Sequence, residues 1–284
     1  MKQTAVLAVI PILNPPKDFF TVILPSLQNQ TLKADILLIN SGDKIEMELG
    51  CEVRSISKQE FNHANTRNIA LEYEADYYLF MTQDAMPYDD TLIANLLDAF
   101  REPLVKLTYA RQIPYNDASM IEVFARTTNY PALSQIKSKE MLPKLGIKTF
   151  FSSDSCAMYK GEYFRSVGGF KKDLNTNEDM EFAARAIMDG KKVAYCAEAR
   201  VYHSHNFSFV QLWSRYAEIG RFFVNNKWIL DIVKKYKPIG ASGVSQALSE
   251  LKFVIKHNPR LLGRSVVASL IKYIAFKLEI FLYK

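Results

Sequence analysis

The sequence predicts an α/β fold with a mostly parallel sheet covered by helices on both faces, followed by a C-terminal helical extension. Three observations point there. First, Thr4–Leu13 (TAVLAVIPIL), Ala34–Asn40 (ADILLIN) and Tyr77–Thr82 (YYLFMT) are short, nearly unbroken apolar runs, as expected of strands buried on both sides. Second, segments with helical spacing of apolar residues alternate with these runs, the rhythm of consecutive βα units. Third, beyond Ser208 only helical spacing remains.

The elements follow in order. Asp18–Gln28 reads as a helix, with Phe19, Phe20, Ile23, Leu24 and Leu27 as its apolar positions. Ala34–Asn40 is a buried strand closed by Ser41-Gly42-Asp43, and Cys51–Ser57 a weaker one. Asn65–Glu74 reads as a helix capped by Asn65 or Thr66. The strand Tyr77–Thr82, the helix Thr91–Phe100 and the strand Val105–Arg111 complete the first half. Ser152–Tyr159 is a short strand, followed by a helix broken at Gly168-Gly169-Phe170. Glu178–Met188 is a helix, and Lys192–Cys196 and Arg200–His203 are strands. The remaining helices break near Pro238-Ile239-Gly240 and Asn258-Pro259. This divides the chain into an α/β domain over 1–210 and a helical region over 211–284.

Bulk properties narrow the function classes. With 49% apolar residues in 284, the chain can bury a sizeable core. Cys51, Cys156 and Cys196 are too few and scattered for a disulfide framework or zinc site, and suit a reducing compartment. The N-terminal apolar run ends in Pro and Asn where a signal peptide needs small residues, so a cytoplasmic location is expected. No GxGxxG, GxxxxGK[ST] or GxSxG is present, which removes dinucleotide-binding, P-loop and α/β-hydrolase sites. Residues 211–284 hold 13 Lys+Arg and 4 Asp+Glu, a net +9, so the rest of the +6 chain carries −3. The basic tail invites anionic lipid or nucleic acid. The acidic body and the lack of a groove-reading motif argue against nucleic acid.

In a parallel sheet ligands sit beyond the carboxyl ends of the strands. That rule directs attention to Asn14, to Asn40–Asp43, and to Gln83 and Asp84 after YYLFM. A carboxylate there would repel a diphosphate unless Mg²⁺ or Mn²⁺ bridged them; it equally suits an ordinary turn. Glu178, Asp179 and Glu181 favour a helix start electrostatically, and an Asp there is also a candidate general base. His203 and His205 share a face if the strand continues, so one imidazole could join Asp84 on a metal. His63 and Arg67 lie in FNHANTRN; an Arg in the first helical turn opposes the dipole and is a candidate phosphate contact.

Taken together, AVIPILN, LLINSGD, FNHANTRNIAL, YYLFMTQDAMP, SVGGF, NEDMEFAARAIMDGKKVAY and VYHSHNFSF resemble family 2 glycosyltransferases, most closely bacterial dTDP-rhamnosyltransferases of cell-surface polysaccharide synthesis. The resemblance spans roughly residues 4–210. It implies a GT-A fold and an inverting, metal-dependent displacement, with L-rhamnose passing from dTDP-L-rhamnose to a lipid-linked glycan. Asp84 would hold Mn²⁺ or Mg²⁺ with His203, or with His205 as second choice. Asp179 would be the base, supported by Glu178. Asn14, Asn40, Arg67, His63, Gln83 and Asp84 would meet the donor. Two departures stand out: relatives often carry acidic residues at the positions of Thr82 and Ala85, and an Asp at that of Asn40. A UDP-sugar donor and a non-catalytic glycan-binding or nucleotide-sugar-binding protein are the alternatives.

In the tail, Val267, Leu270, Ile271, Ile274, Leu278 and Phe281 share a helical face, with Lys272, Lys277, Glu279 and Lys284 mostly opposite. Lysines break the longest apolar stretches every few residues, so a spanning helix of about 20 apolar residues is not supported. A basic amphipathic helix peripheral on the inner face of the plasma membrane fits, as does a homodimer interface or packing on the catalytic domain. Leu212, Trp213, Tyr216, Ile219, Phe222 and Phe223 could add to that surface.

Overall fold

The computed structural model describes residues 5–236 and 241–282. Thr4, Pro238-Ile239-Gly240 and Lys284, named above, lie outside the described residues. The described chain separates into two compact units, one over 1–112, 132–139 and 150–203, the other over 113–131, 140–149 and 204–284.

The strands are β1 (Val6–Ile12), β2 (Asp35–Asn40), β3 (Glu52–Ser55), β4 (Tyr77–Met81), β5 (Met86–Pro87), β6 (Val105–Ile113), β7 (Gln135–Lys137), β8 (Cys156–Lys160) and β9 (Lys192–Tyr202). They form one sheet in the order β3-β2-β1-β4-β8-β6-β9-β5, with β7 paired to β9. β3, β2, β1 and β4 run parallel. β8 enters antiparallel to β4, Cys156 opposite Met81. The start of β8 therefore lies at the same sheet end as the finish of β4, and both border the loops after the parallel strands.

The helices are α1 (Leu24–Gln28), α2 (His63–Asn68), α3 (Leu92–Asp98), α4 (Met120–Asn129), α5 (Leu142–Leu145), α6 (Gly161–Ser166), α7 (Glu178–Met188), α8 (Phe209–Asn225), α9 (Lys227–Lys234), α10 (Ala241–His257) and α11 (Leu262–Leu282). Several bounds correct the sequence reading. A π-helical turn, Phe19–Ile23, precedes α1; Pro25, with no N–H to donate, sits at its junction with the α-helix. α2 begins two residues earlier than expected because Asn62 is the cap, its Oδ1 accepting from the N–H groups of Ala64 and Asn65 at 3.1 Å each. Arg67 thus falls in the last turn of α2, where a cation suits the dipole. Residues 152–155 form a loop leading into β8, and the two strands expected over 192–203 are one. β9 ends at Tyr202, so His203 and His205 lie beyond it and do not share a strand face. α4, β7 and α5 were not anticipated.

In the sheet unit, Val9, Leu38, Leu79 and Met158 are at most 1% exposed. Tyr78, Phe80, Tyr159, Phe164, Phe170 and Phe182 form a packed aromatic cluster with centroids 4.9–6.5 Å apart along its contacts. This cluster anchors α6 and α7 against β4 and β8.

In the helical unit, α8 packs against α11 through Gly220, where an added Cβ would stand 2.8 Å from Glu279 Cβ and 3.0 Å from the Phe276 carbonyl oxygen. Arg221 pairs with Glu279 at 2.7 Å. Glu250 of α10 is buried and accepts from Ser265 Oγ at 2.6 Å and Lys272 Nζ at 3.5 Å on α11. α11 buries Ser265, Ala268 and Ala275, whereas Val267, Leu270, Ile274, Leu278 and Phe281 are exposed and Ile271 half-buried. Phe222 and Phe223 are buried, and Trp213 is exposed. Among the described residues no helix is long and apolar enough to cross a membrane.

Candidate active site

The loops after β1, β2 and β4 meet through their own side chains. Asn14 adopts a left-handed backbone, φ 41°, and its Oδ1 accepts from the Asp43 N–H at 2.7 Å. Asn40 is 2% exposed; it accepts from the Gly42 N–H at 3.0 Å and donates to the Asp43 carbonyl at 2.8 Å. A Cβ on Gly42 would stand 2.1 Å from Asn14 Oδ1, so only glycine fits there. Gln83 Oε1 accepts from the Leu13 N–H at 2.8 Å. Asn14, Asn40 and Gln83 therefore lie together at the carboxyl ends of the parallel strands, and their amides shape the loop backbones.

Asp84 follows directly. His203 is 5% exposed and its Nε2 lies 3.4 Å from Asp84 Oδ1. Gln112, itself buried, holds the other side of the ring, with Nδ1 2.8 Å from Gln112 Oε1. The Gln112 amide nitrogen donates to Ser153 Oγ at 2.9 Å, which turns Oε1 toward the ring. With Nδ1 engaged by Gln112, Nε2 is the ring nitrogen that faces the carboxylate, the placement in which an imidazole held from behind can share a cation with it. Asp84 and His203 thus face one another within the sheet unit, whereas His205, the second-choice ligand, belongs to the helical unit. A carboxylate beside a neutral imidazole is a donor pair that suits Mn²⁺ better than Mg²⁺.

The second cluster surrounds the start of α7. Arg67 is 2% exposed; its Nη1 is 3.0 Å from Glu178 Oε1 and its Nε 3.6 Å from Asp154 Oδ2. His63 Nδ1 lies 3.2 Å from the same Nη1. Tyr159 donates its hydroxyl to Asp154 Oδ1 at 2.6 Å. Asp179 accepts from the Met180 N–H at 2.6 Å and the Asp154 N–H at 3.2 Å. Unlike the enclosed Glu178 and Asp154, it is only half-buried. One guanidinium faces three carboxyl groups. Burial, then the Glu178 charge, pushes Asp179 up to about 7. Burial likewise pushes Asp154 well above the usual carboxylate range, against the pull of Arg67. Lys137 on β7 is 2% exposed and donates to the Phe151 carbonyl, with Nζ 4.7 Å from the Tyr109 ring centre. Burial lowers it to about 7, against the opposing field of Asp179.

The two clusters share one loop. Ser153 holds Gln112, which orients His203, and its neighbour Asp154 holds Asp179. Arg67, expected at a donor phosphate, is enclosed by Glu178 and Asp154. Gln112, Lys137, Asp154 and Tyr159 were missed by the sequence reading. Asp154 alone left a signal, a carboxylate in SSDS directly ahead of a buried apolar run.

Residues 89–278 match the family model described as glycosyl transferase family group 2. The chain is 37% identical over 265 residues to the O-antigen chain rhamnosyltransferase RfbN of Salmonella typhimurium, covering 90% of this chain and 83% of that protein. It is 39% identical over 225 residues to the O-antigen chain rhamnosyltransferase WbaN of Salmonella anatum, covering 78% and 70%. Among solved structures it resembles the mannosyltransferase PcManGT from Pyrobaculum calidifontis in complex with GDP-Man and Mn²⁺, with TM-score 0.61, 13% identity and 100% and 85% of the two chains covered. It also resembles S. aureus TarS 1–349, with TM-score 0.55, 12% identity and 99% and 91% covered. The structural likenesses establish the GT-A fold, and the sequence matches place this chain in glycosyl transferase family group 2, as a glycosyltransferase related to the O-antigen chain rhamnosyltransferases.

Proposed function

We propose that the enzyme moves L-rhamnose from dTDP-L-rhamnose to a hydroxyl of a lipid-linked cell-surface glycan, in one inverting displacement assisted by Mn²⁺ or Mg²⁺. The observation that carries the metal-assisted reading is the fixed His203 ring facing Asp84 at 3.4 Å. The sugar class rests on the two rhamnosyltransferase relatives. Asp84 and His203 are the residues that would hold the ion, with His205 as the second choice to His203. When bound, it would neutralise charge growing on the departing diphosphate.

The chain's own residues supply the rest. Asn14, Asn40 and Gln83 shape the loops that receive the nucleotide. Asp179 takes the proton of the acceptor hydroxyl on a carboxylate oxygen; at about 7 its basicity matches the working range of a general base. Glu178 and Arg67 fix the helix end that presents it. Outward-facing Val267, Leu270, Ile274, Leu278 and Phe281, with the tail's net +9, support peripheral attachment to an anionic membrane from the cytoplasmic side. A homodimer through the same face is the competing occupant.

The test is nucleotide diphosphate release by purified protein given dTDP-L-rhamnose, then UDP-sugars, with and without Mn²⁺. Asp84→Asn and Asp179→Asn should each abolish metal-dependent release while unfolding stays cooperative. Full turnover in either variant would refute its assigned role. Flotation with anionic but not neutral vesicles tests the membrane reading.

A further inference from the structure

We propose that Asp154 is a positioning residue for the base, holding the loop whose backbone N–H fixes the Asp179 carboxylate. The inference rests on Asp179 being the base. Its geometry is independent of that reading: Tyr159 donates to Asp154 Oδ1 at 2.6 Å, Arg67 Nε stands 3.6 Å from Oδ2, and the Asp154 N–H meets Asp179 Oδ2 at 3.2 Å. Lys137 secures the start of the same loop by donating to the Phe151 carbonyl, three residues before Asp154. The loop is thus gripped at both ends by enclosed side chains, and a carboxyl group is a demanding choice for the grip. An apolar residue would avoid burying a third acid beside one guanidinium. What the carboxyl group supplies is an acceptor for Tyr159 and a partner for Arg67, which together set where the amide points.

The groups facing Asp179 are Glu178 on its own helix, Arg67 on α2, Lys137 on β7, Tyr159 on β8 and Asp154 itself. Burial and Glu178 favour its neutral form. The Met180 and Asp154 amides and Arg67 favour the carboxylate. Loss of the Asp154 amide therefore moves the titration upward, by about one pH unit for one backbone donor to a carboxylate.

The experiment is the pH profile of kcat and of donor KM from pH 5.5 to 9.5 for Asp154→Ala, Asp154→Asn and Asp179→Asn. Asp154→Ala should move the acidic limb of kcat upward by about one unit. Starting near 7, that is about five-fold lower kcat at pH 7, recovered at pH 9, with donor KM unchanged. Asp154→Asn, still accepting from Tyr159, should restore most of the profile. If Asp154→Ala fails to fold, Tyr159→Phe keeps the ring, removes the hydroxyl donor and should shift the limb the same way. An unmoved limb, or an equal loss at every pH, overturns the proposal. Asp179→Asn separates the two readings: turnover surviving in it removes the base itself, whereas an inactive Asp179→Asn beside an unshifted Asp154→Ala removes only the positioning role.

Discussion

Replacing Arg67 by Met is expected to destabilise the protein most at alkaline pH. The side chain is 3% exposed and stands 3.0 Å from Glu178 and 3.6 Å from Asp154. At an effective dielectric near 20, each attraction is about 5 kcal/mol. Desolvation of the guanidinium offsets much of this, and removing one partner of a buried pair costs about 3–5 kcal/mol. Methionine fills similar volume, so the loss reflects charge more than cavity. Without the guanidinium, the folded-state pKa of Asp154, already raised by burial, rises further above that of the unfolded chain. The folded variant then binds protons more tightly, so its stability increases as pH falls. Urea unfolding followed by circular dichroism at pH 8 and pH 5 should show the full penalty at pH 8 and a smaller one at pH 5. A variant within about 1 kcal/mol of the parent at pH 8, or a penalty growing toward acid, would refute the view of Arg67 as the counter-charge of a buried acid cluster.

Other outcomes follow from the same contacts. Asp179 is raised to about 7 in the fold, so its ionisation costs stability as pH rises from about 4 to 7 and costs most above 7; Asp179→Asn should melt higher than the parent at pH 8 while losing turnover. Gln112→Leu frees the His203 ring and should weaken Mn²⁺ binding by about 10–100-fold in calorimetry, with an unchanged affinity counting against the metal site. Gly220→Ala drives a Cβ to 2.8 Å from Glu279 Cβ and should cost about 1–3 kcal/mol in thermal unfolding; a neutral result would mean α8 and α11 do not pack as described.

Much of the sheet was legible without coordinates, since β1, β2 and β4 are apolar on both faces and announce themselves by composition. The limits of α7 matched because three acidic residues mark its start and Gly190 follows its end. Asp84 was singled out by a rule tied to the carboxyl ends of parallel strands, and the structure sets it beside His203. The same rule overlooked Asp154, which precedes an antiparallel strand and reaches that sheet end from the other direction. A one-residue-type pattern carries no strand direction.

What the sequence determined by itself, then, was the βα rhythm, the run of candidate acids and histidines, and the basic tail, all properties of local composition and spacing. Tertiary structure decided which groups share a site. It placed Arg67 at the end of α2 against acids 87 and 111 residues away, and turned Gln112 onto His203 across 91 residues. Such pairings depend on strand order and burial, and burial is what brings both Asp179 and Lys137 to about 7.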